Sequence, residues 1–533
     1  MKSFIGIFLW AIMLTVAVGS RAENYYLGDI SRLHGNMKRV EINMLENVCF
    51  SGGDTLFIES KTEIPGSLKF KNIFPSDRLF VITSYNRNKP ATINAKGENE
   101  AVLLENCGNI KIDNLKIIAD GYFNEKDPEK RKMRCGILVQ YNKKGSYSNI
   151  LIENINIKDV FYENKGFVRK ASEVRTANGT QAYGWGIRVI NNHPEAVLSG
   201  VSIRNCDISN VSHTGIKFSA LKWNIKNVDI YGNDVYMTGG PGIQMSGVYC
   251  ANVHYNNINK SGSDDDTRKW GRGSGYWCWG SKYIVLEHNK LMNANGPGDS
   301  SGAHIDYNCS DVIYQYNFSY NNAGGFCEIL GNNYNCVYRY NISVNDGWRM
   351  KGHKGAFHEG KVLWMSGYVG EKKRRGPFNS YVYNNTIVVS DYDDIRIAIG
   401  NTTDGLLIAN NIFCFKNSKS VMGDQFNPEK KVKGLKAEHI EFKNNLFLSA
   451  QTWNKEIPVQ PSDFIYGNPD FTNLGGCAIE DYIPRNVELI KNKGIHIDQL
   501  PTDTAGVWMG LNMHYDIWGK KIDGKPDLGA VEL

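Results

Sequence analysis

The sequence holds no CxxC pair, no HExxH and no glycine-rich phosphate loop. Zinc chemistry and nucleotide binding therefore have no foothold in its motifs. Charge of one sign is also scarce: 61 Lys+Arg stand against 55 Asp+Glu, and no basic run exceeds Lys372 to Arg375. That balance gives no footprint for nucleic acid. Beyond the N-terminus no stretch reaches the roughly 18 to 20 apolar residues that cross a bilayer, so no membrane span is expected. The 11 cysteines are odd in number and follow no framework or metal-type spacing,. Most are expected to be buried free thiols, with Cys278 and Cys327 inside short strand-like runs.

What is present begins with Lys2, an apolar run from Phe4 to Val18, and small residues Ser20 and Ala22 where a signal peptidase reads,. A cleavable signal over residues 1–22 is expected, and with it a secreted or periplasmic destination. No cysteine stands at the end of the run to take a lipid. The chain has 533 residues, of which 54 are glycine and 58 asparagine, a turn-rich composition,. A hydrophobic content of 41% with 22% charged residues excludes a disordered chain,. Length alone would suggest several domains, but repeat folds escape that prior because each layer buries its core only against its neighbours.

A repeat is visible from residue 100 onward: a short alternating strand, an asparagine, and a second short strand. Examples are NIKIDNLKI (109–117), NILIENINI (149–157), IVLEHNKLM (284–292), CVYRYNISV (336–344) and LLIANNIFCF (406–415). The recurring residues are Asn114, Asn154, Asn205, Asn233, Asn257, Asn289, Asn317, Asn341, Asn385, Asn411 and Asn445. Strands of three to five residues at this repeat predict an all-β, single-stranded right-handed parallel β-helix with inserted loops. Asparagine suits the corner, because it tolerates left-handed backbone and its amide can bond to the same residue one rung away. A leucine-rich repeat would need a fixed leucine consensus, and a β-propeller would need hairpin-linked blades; neither pattern is present. The β-helix is placed over 23–450, with 451–533 as C-terminal rungs and cap.

The segments GDTLFIES (53–60), FVITSYNRNKPATINAKG (80–97) and AVLLENCGNIKIDNLKI (101–117) resemble the opening rungs of secreted pectate-lyase-like β-helix proteins. NPDF (468–471) and KIDGKPDLGAVEL (521–533) resemble the tail of many members. The resemblance implies the fold and a carbohydrate partner. It does not choose among lyases, hydrolases, epimerases and adhesins.

Chemistry is sought on strands introduced by glycine: GIRVI (186–190), GIKFS (215–219), GIQMS (242–246), GYWCW (275–279), GAHID (302–306), GGFCE (324–328) and GWRMK (347–351). Alternation points the first and third residues after glycine inward, and these are nearly all apolar or small. One outward column then reads Arg188, Lys217, Gln244, Trp277, His304, Phe326, Arg349. The other reads Ile190, Ser219, Ser246, Trp279, Asp306, Glu328, Lys351. Aromatic faces beside charged groups suit a sugar-binding groove; the alternative is a packing surface covered by the loops at 261–274 and 293–301.

Asp306 and Glu328 lie 22 residues apart, which predicts adjacent strands about 4.7 to 4.9 Å apart. Two carboxylates that close favour one neutral acid beside one ionised group, the pairing that glycoside hydrolysis requires. Asp306 is read as nucleophile and Glu328 as acid/base of a retaining hydrolase, with His304 orienting Asp306 or binding a hydroxyl. The pair is similar to that of the β-helical β-xylosidase family, at these two positions only. The bland alternative is a charge ladder with Arg349 and Lys351; Glu359 and Asp299 are substitutes for either member.

A polysaccharide lyase acting on uronate glycans is the second reading, with Arg188, Lys217, Arg349 or Lys351 as cations. Calcium would then be held by Asp264, Asp265 and Asp266. Those aspartates also fit a solvated acidic turn. The hydrolase reading implies no cofactor. A non-catalytic glycan-binding β-helix is the third reading, set against the irregular insertions at 118–135, 158–184, 260–275 and 351–378, which are what builds a pocket.

Overall fold

The computed structural model describes residues 22–29, 35–75, 78–121, 133–176, 179–421 and 437–533. Apart from Ala22, the expected signal segment lies outside them. Through most of the described chain each turn contributes one short strand to each of three sheets. Ile216–Ala220, Ile225–Tyr231 and Asp234–Thr238 make one turn, and Ile243–Ser246 starts the next. Stacking these turns gives sheets of 15, 14 and 12 strands whose ladders are all parallel, the β-helix read from the repeat.

Period-two alternation supplies the core. In the 12-stranded sheet Ile187, Ile216, Ile243, Tyr276 and Ala303 are successive register partners, all buried within one continuous cluster. Each such aliphatic side chain contributes about 1.5–3 kcal/mol by leaving water. All 11 cysteines are free, and eight of them are buried.

The recurring asparagines resolve into two columns. Asn114, Asn154 and Asn205 hold a left-handed corner, with φ of 54°, 55° and 51°. From Asn233 onward the asparagine sits one residue later and points inward. Gly232, Tyr255, His288, Tyr316, Tyr340, Asn384, Asn410 and Asn444 take over the left-handed position. The inward column runs Asn233, Asn256, Asn289, Asn317, Asn341, Asn385, Asn411, Asn445, each Nδ2 donating to the next Oδ1 at 2.8–3.0 Å. Asn256 therefore replaces the expected Asn257, which is exposed and pairs with Asp234 instead.

After Phe464–Tyr466, which pairs with Asn445–Phe447, the chain adds no further strand. It turns back across the outer faces of the two larger sheets. Phe471, Tyr482, Ile490, Ile497, Leu500, Ile517 and Leu528 pack there against Ile313, Tyr340, Ile342, Tyr381 and Ile412. Arg339, fully buried, is satisfied partly by this tail, donating to Gly510 O at 2.6 Å, Gln315 Oε1 at 2.8 Å and the Tyr383 hydroxyl at 2.9 Å.

Candidate active site

The outward face of the 12-stranded sheet is divided. On its early rungs Leu138, Trp185 and Ile190 are buried together with Tyr183 and Trp270 from the insertions at 158–184 and 260–275, so that part is packing surface. Further along, the same face opens into a cavity of about 410 Å³. Lys217, Gln244, Trp277, Trp279, His304, Asp306 and Glu328 line it, with Gln181, Arg272, Asp299, Tyr307, Leu330 and Tyr368.

The first column is aligned as expected through five strands: Arg188 beside Lys217, then Gln244, Trp277 and His304. The next rung departs from the expected register. Ile305 pairs with Ile329 and Ser301 bridges Gly325, so the offset is 24 residues and not 22. Glu328 thereby falls beside His304 in the first column, and Leu330 takes the place beside Asp306. Phe326 is not outward. It lies in the core, edge-on to Tyr338 with centroids 5.6 Å apart.

GWRMK is not a rung strand. The strand that follows Gly325–Ile329 is Lys361–Met365, with Glu328 beside Trp364. Residues 347–351 form the start of a loop, in which Met350, expected inward, is 55% exposed and Lys351 is exposed outside the cavity. Arg349 is buried beneath the site as a brace, donating to His358 O at 2.8 Å, Asp299 O at 2.9 Å and Gly296 O at 3.1 Å. Arg188 is likewise buried and lies behind the cavity wall, bonded to Gln181 Oε1 at 2.9 Å. Glu359 pairs with Lys361 at 3.6 Å.

Three carboxylates reach the cavity in three different settings. Asp306 accepts from Trp277 Nε1 at 3.0 Å and from its neighbour's backbone, Tyr307 N, at 2.8 Å. Burial pushes its carboxyl up to about 7; His304 opposes the shift, while Asp299 and Glu328 add to it. Glu328 accepts from Ser301 Oγ at 2.8 Å. For Asp299 burial works upward as well, but Arg272 grips both oxygens, at 2.7 and 3.0 Å, and holds the carboxyl far below the usual carboxylate range. The site thus presents one carboxyl that keeps its proton near neutrality and one that is firmly ionised.

The Asp299 loop is held in an unfavourable shape. Asp299 and Ser300 are consecutive non-glycine residues in the left-handed region, at φ 48° and 66°,. Gly324 packs against them so closely that a Cβ there would stand 1.9 Å from Asp299 O. Aromatic rings complete the site: His304 stacks on Trp277 at 5.4 Å and bonds Ser274 Oγ through Nδ1 at 2.9 Å. Trp279, Tyr307 and Tyr368 meet edge to face at 5.8 Å.

The acidic turn suggested for calcium is taken up by ion pairs. Asp265 binds Lys269 at 2.8 Å, and Asp266 binds Arg268 at 2.7 Å. Sequence reading missed Arg272, Tyr307, Tyr368 and Trp364. Trp364 alone carried a legible signal, since Gly360 introduces KVLWM just as glycine introduces the other rungs.

No family model matches the chain. It is similar to the lacto-N-biosidase of Bifidobacterium longum subsp. longum, 26% identical over 350 residues, covering 58% of this chain and 19% of that protein. The chain thus spans about a fifth of the curated relative it matches. Among solved structures it is similar to a GH136 lacto-N-biosidase from Eubacterium ramulus, native form. There the TM-score is 0.52 at 18% identity, over 69% of this chain and 64% of that one. The selenomethionine form gives 0.52 at 17%, over 79% and 68%. These structural likenesses carry the fold.

Proposed function

We propose that the chain is a glycoside hydrolase acting on an oligosaccharide or polysaccharide, with Asp306 as proton donor and Asp299 as the ionised carboxylate. The observation that carries this is the contrast between two carboxyls on one aromatic-lined cavity, Asp299 gripped through both oxygens by Arg272 and Asp306 buried with a neutral Trp277 donor,. Similarity to a lacto-N-biosidase, a glycosidase by name, supports the same class.

In the retaining form of the reaction, Asp299 attacks the anomeric carbon while Asp306 gives its proton to the departing glycosidic oxygen. Asp306, now ionised, then takes a proton from the water that displaces the sugar from Asp299. Trp277 Nε1 stabilises the Asp306 anion formed between these steps. Arg272 fixes the plane of Asp299. This assignment makes Asp306 an acid where its sequence position suggested a nucleophile. Glu328 remains a second choice for the ionised role, because it stands beside His304 and is oriented by Ser301.

The deciding experiment is a glycan panel assayed with wild type, Asp306→Asn, Asp299→Asn and Glu328→Gln, with azide added to each variant. Azide gives a glycosyl azide of inverted configuration where the missing group is the nucleophile and of retained configuration where it is the acid/base, and the anomer of the first wild-type product, read by proton NMR, tests retention. Full activity in both Asp306→Asn and Asp299→Asn would end the proposal.

One observation favours the lyase reading: burial and Arg188 push the Lys217 amine down to about 7, within range of a general base,. A product absorbing in the ultraviolet from a new double bond would establish it. Export from the cytoplasm is proposed on the N-terminal apolar run alone. Cleavage after Ala22, read by N-terminal sequencing of protein from the medium or periplasm, tests that proposal.

A further inference from the structure

The Lys217 end of the cavity differs from its carboxylate end. Lys217 and Arg188 are register partners one rung apart, buried to 7% and 6% exposure. Like charges opposed on neighbouring strands are destabilising. Arg188 is nevertheless locked in place. Its guanidinium stands 4.2 Å over Trp185 and bonds Gln181 at 2.9 Å, while its Nε is buried without a hydrogen bond among the described residues.

Gln181 and Lys217 reach the cavity wall together with Ser219, Gln244 and Ser246. Lys217 stands three rungs from His304, through Gln244 and Trp277. That is about 14 Å at strand spacing. The cavity therefore has two poles, one built from carboxylates and the other from stacked cations among hydroxyl and amide groups. Burial and Arg188 both oppose the charge on Lys217. An anion taken up from the cavity would favour that charge, and perturbed ionisable groups in a cleft mark functional positions.

We propose that the Lys217 pole is a subsite for a negatively charged substituent, a carboxylate or a sulfate, on a glycan unit away from the bond that is cut. The position of the cut bond rests on the hydrolase reading; the contact of Lys217 with the anion does not. In the occupied subsite Lys217 supplies the compact charge, Arg188 adds field from behind the wall, and Gln181 and Ser219 supply hydrogen bonds.

The test is titration calorimetry of the intact chain with glucuronate, glucose 6-sulfate and glucose. Wild type, Lys217→Met and Lys217→Arg are compared, each checked for native circular dichroism. At least one anion should bind wild type roughly tenfold more tightly than glucose, as charge-assisted contacts do. Lys217→Met should erase that margin and Lys217→Arg should keep most of it. Which anion leads identifies the substituent. Gln181→Leu, which strips the wall in front of Arg188, should narrow the margin and serves if Lys217→Met does not fold.

Equal binding of all three sugars by wild type, or a margin that survives in Lys217→Met, would overturn the subsite. Turnover of neutral glycans without a charge margin removes the subsite and keeps the hydrolase. A Lys217-dependent margin with no turnover of any glycan does the reverse.

Discussion

Two polar columns run along this β-helix at the same rung spacing, and they have opposite characters. The inner asparagine column from Asn233 to Asn445 repeats one side chain that is both donor and acceptor, so each amide satisfies the next. The outer column of Arg188, Lys217, Gln244, Trp277, His304 and Glu328 repeats nothing. It sets cation beside cation, and together with Asp299 and Asp306 it crowds carboxylates into one cavity. Stacking alone therefore decides neither stability nor function. Self-complementary groups turn the spacing into cohesion, and mismatched ones turn it into displaced proton affinities.

The contrast is broken most strongly at Asp306. Asp306→Asn should lower kcat by about 10³-fold, within the range for losing a general acid, as measured by steady-state turnover on any glycan the wild type cleaves. The same variant sharpens the contrast through stability. Asp306 holds its proton to about 7 in the folded chain, against an ordinary value of 3.8. Between those values the folded state binds a proton that the unfolded state has lost, so this carboxyl's contribution to stability falls as pH rises from about 4 to about 7. Asp306→Asn should flatten that part of the curve and raise the denaturation midpoint at pH 8.

On the other side of the comparison, Asn317→Ala should cost about 3 kcal/mol in chemical denaturation, since it takes the Oδ1 acceptor from the buried Asn289 N–H and Nδ2 and the Nδ2 donor from Leu286 O and Asn341 Oδ1,. The turnover of the molecules that remain folded should be nearly unchanged. Gly324→Ala should lower kcat by roughly 10- to 100-fold with little effect on KM. It would push against the Asp299 carbonyl, and small misplacements of a reacting group have costs of that order.

The smallest effect is expected at Trp277→Phe. Loss of the 3.0 Å bond to Asp306 Oδ2 removes a donor that favours the ionised form. The alkaline limb of the pH–rate profile should move upward by roughly 0.5 to 1 unit, about the worth of one hydrogen bond.

Much of this was legible in the sequence. The Asn-centred repeat specifies the three-sheet architecture, and the glycine-led alternation places Arg188, Lys217, Gln244, Trp277 and His304 in one column. The register failed after Asp306 because the turn at 307–324 is longer than the alignment allowed, and an error of two residues preserves alternation while changing every neighbour. Glu328 thus kept its outward direction and exchanged its partner. GWRMK misled because glycine and alternation also occur at the start of a loop. Arg272, and the bracing role of Arg349, were beyond reach of pattern reading. One grips Asp299 and the other braces its backbone from sequence distances of 27 and 50 residues, across loops whose paths no periodicity encodes.

The returning C-terminal tail bears on how the molecule responds to force. A bare solenoid unzips one coil at a time, because each coil holds only its neighbours. Here Asp503 bonds Asn335 and Tyr381, Tyr316 bonds Tyr515, and Asn410 bonds Ile495, so one strap crosses coils from residue 316 to residue 410. Pulled from Leu533, the strap must shear before any coil it covers can peel. The last coils should then release nearly together, giving one large extension step where an unstrapped helix would give a staircase.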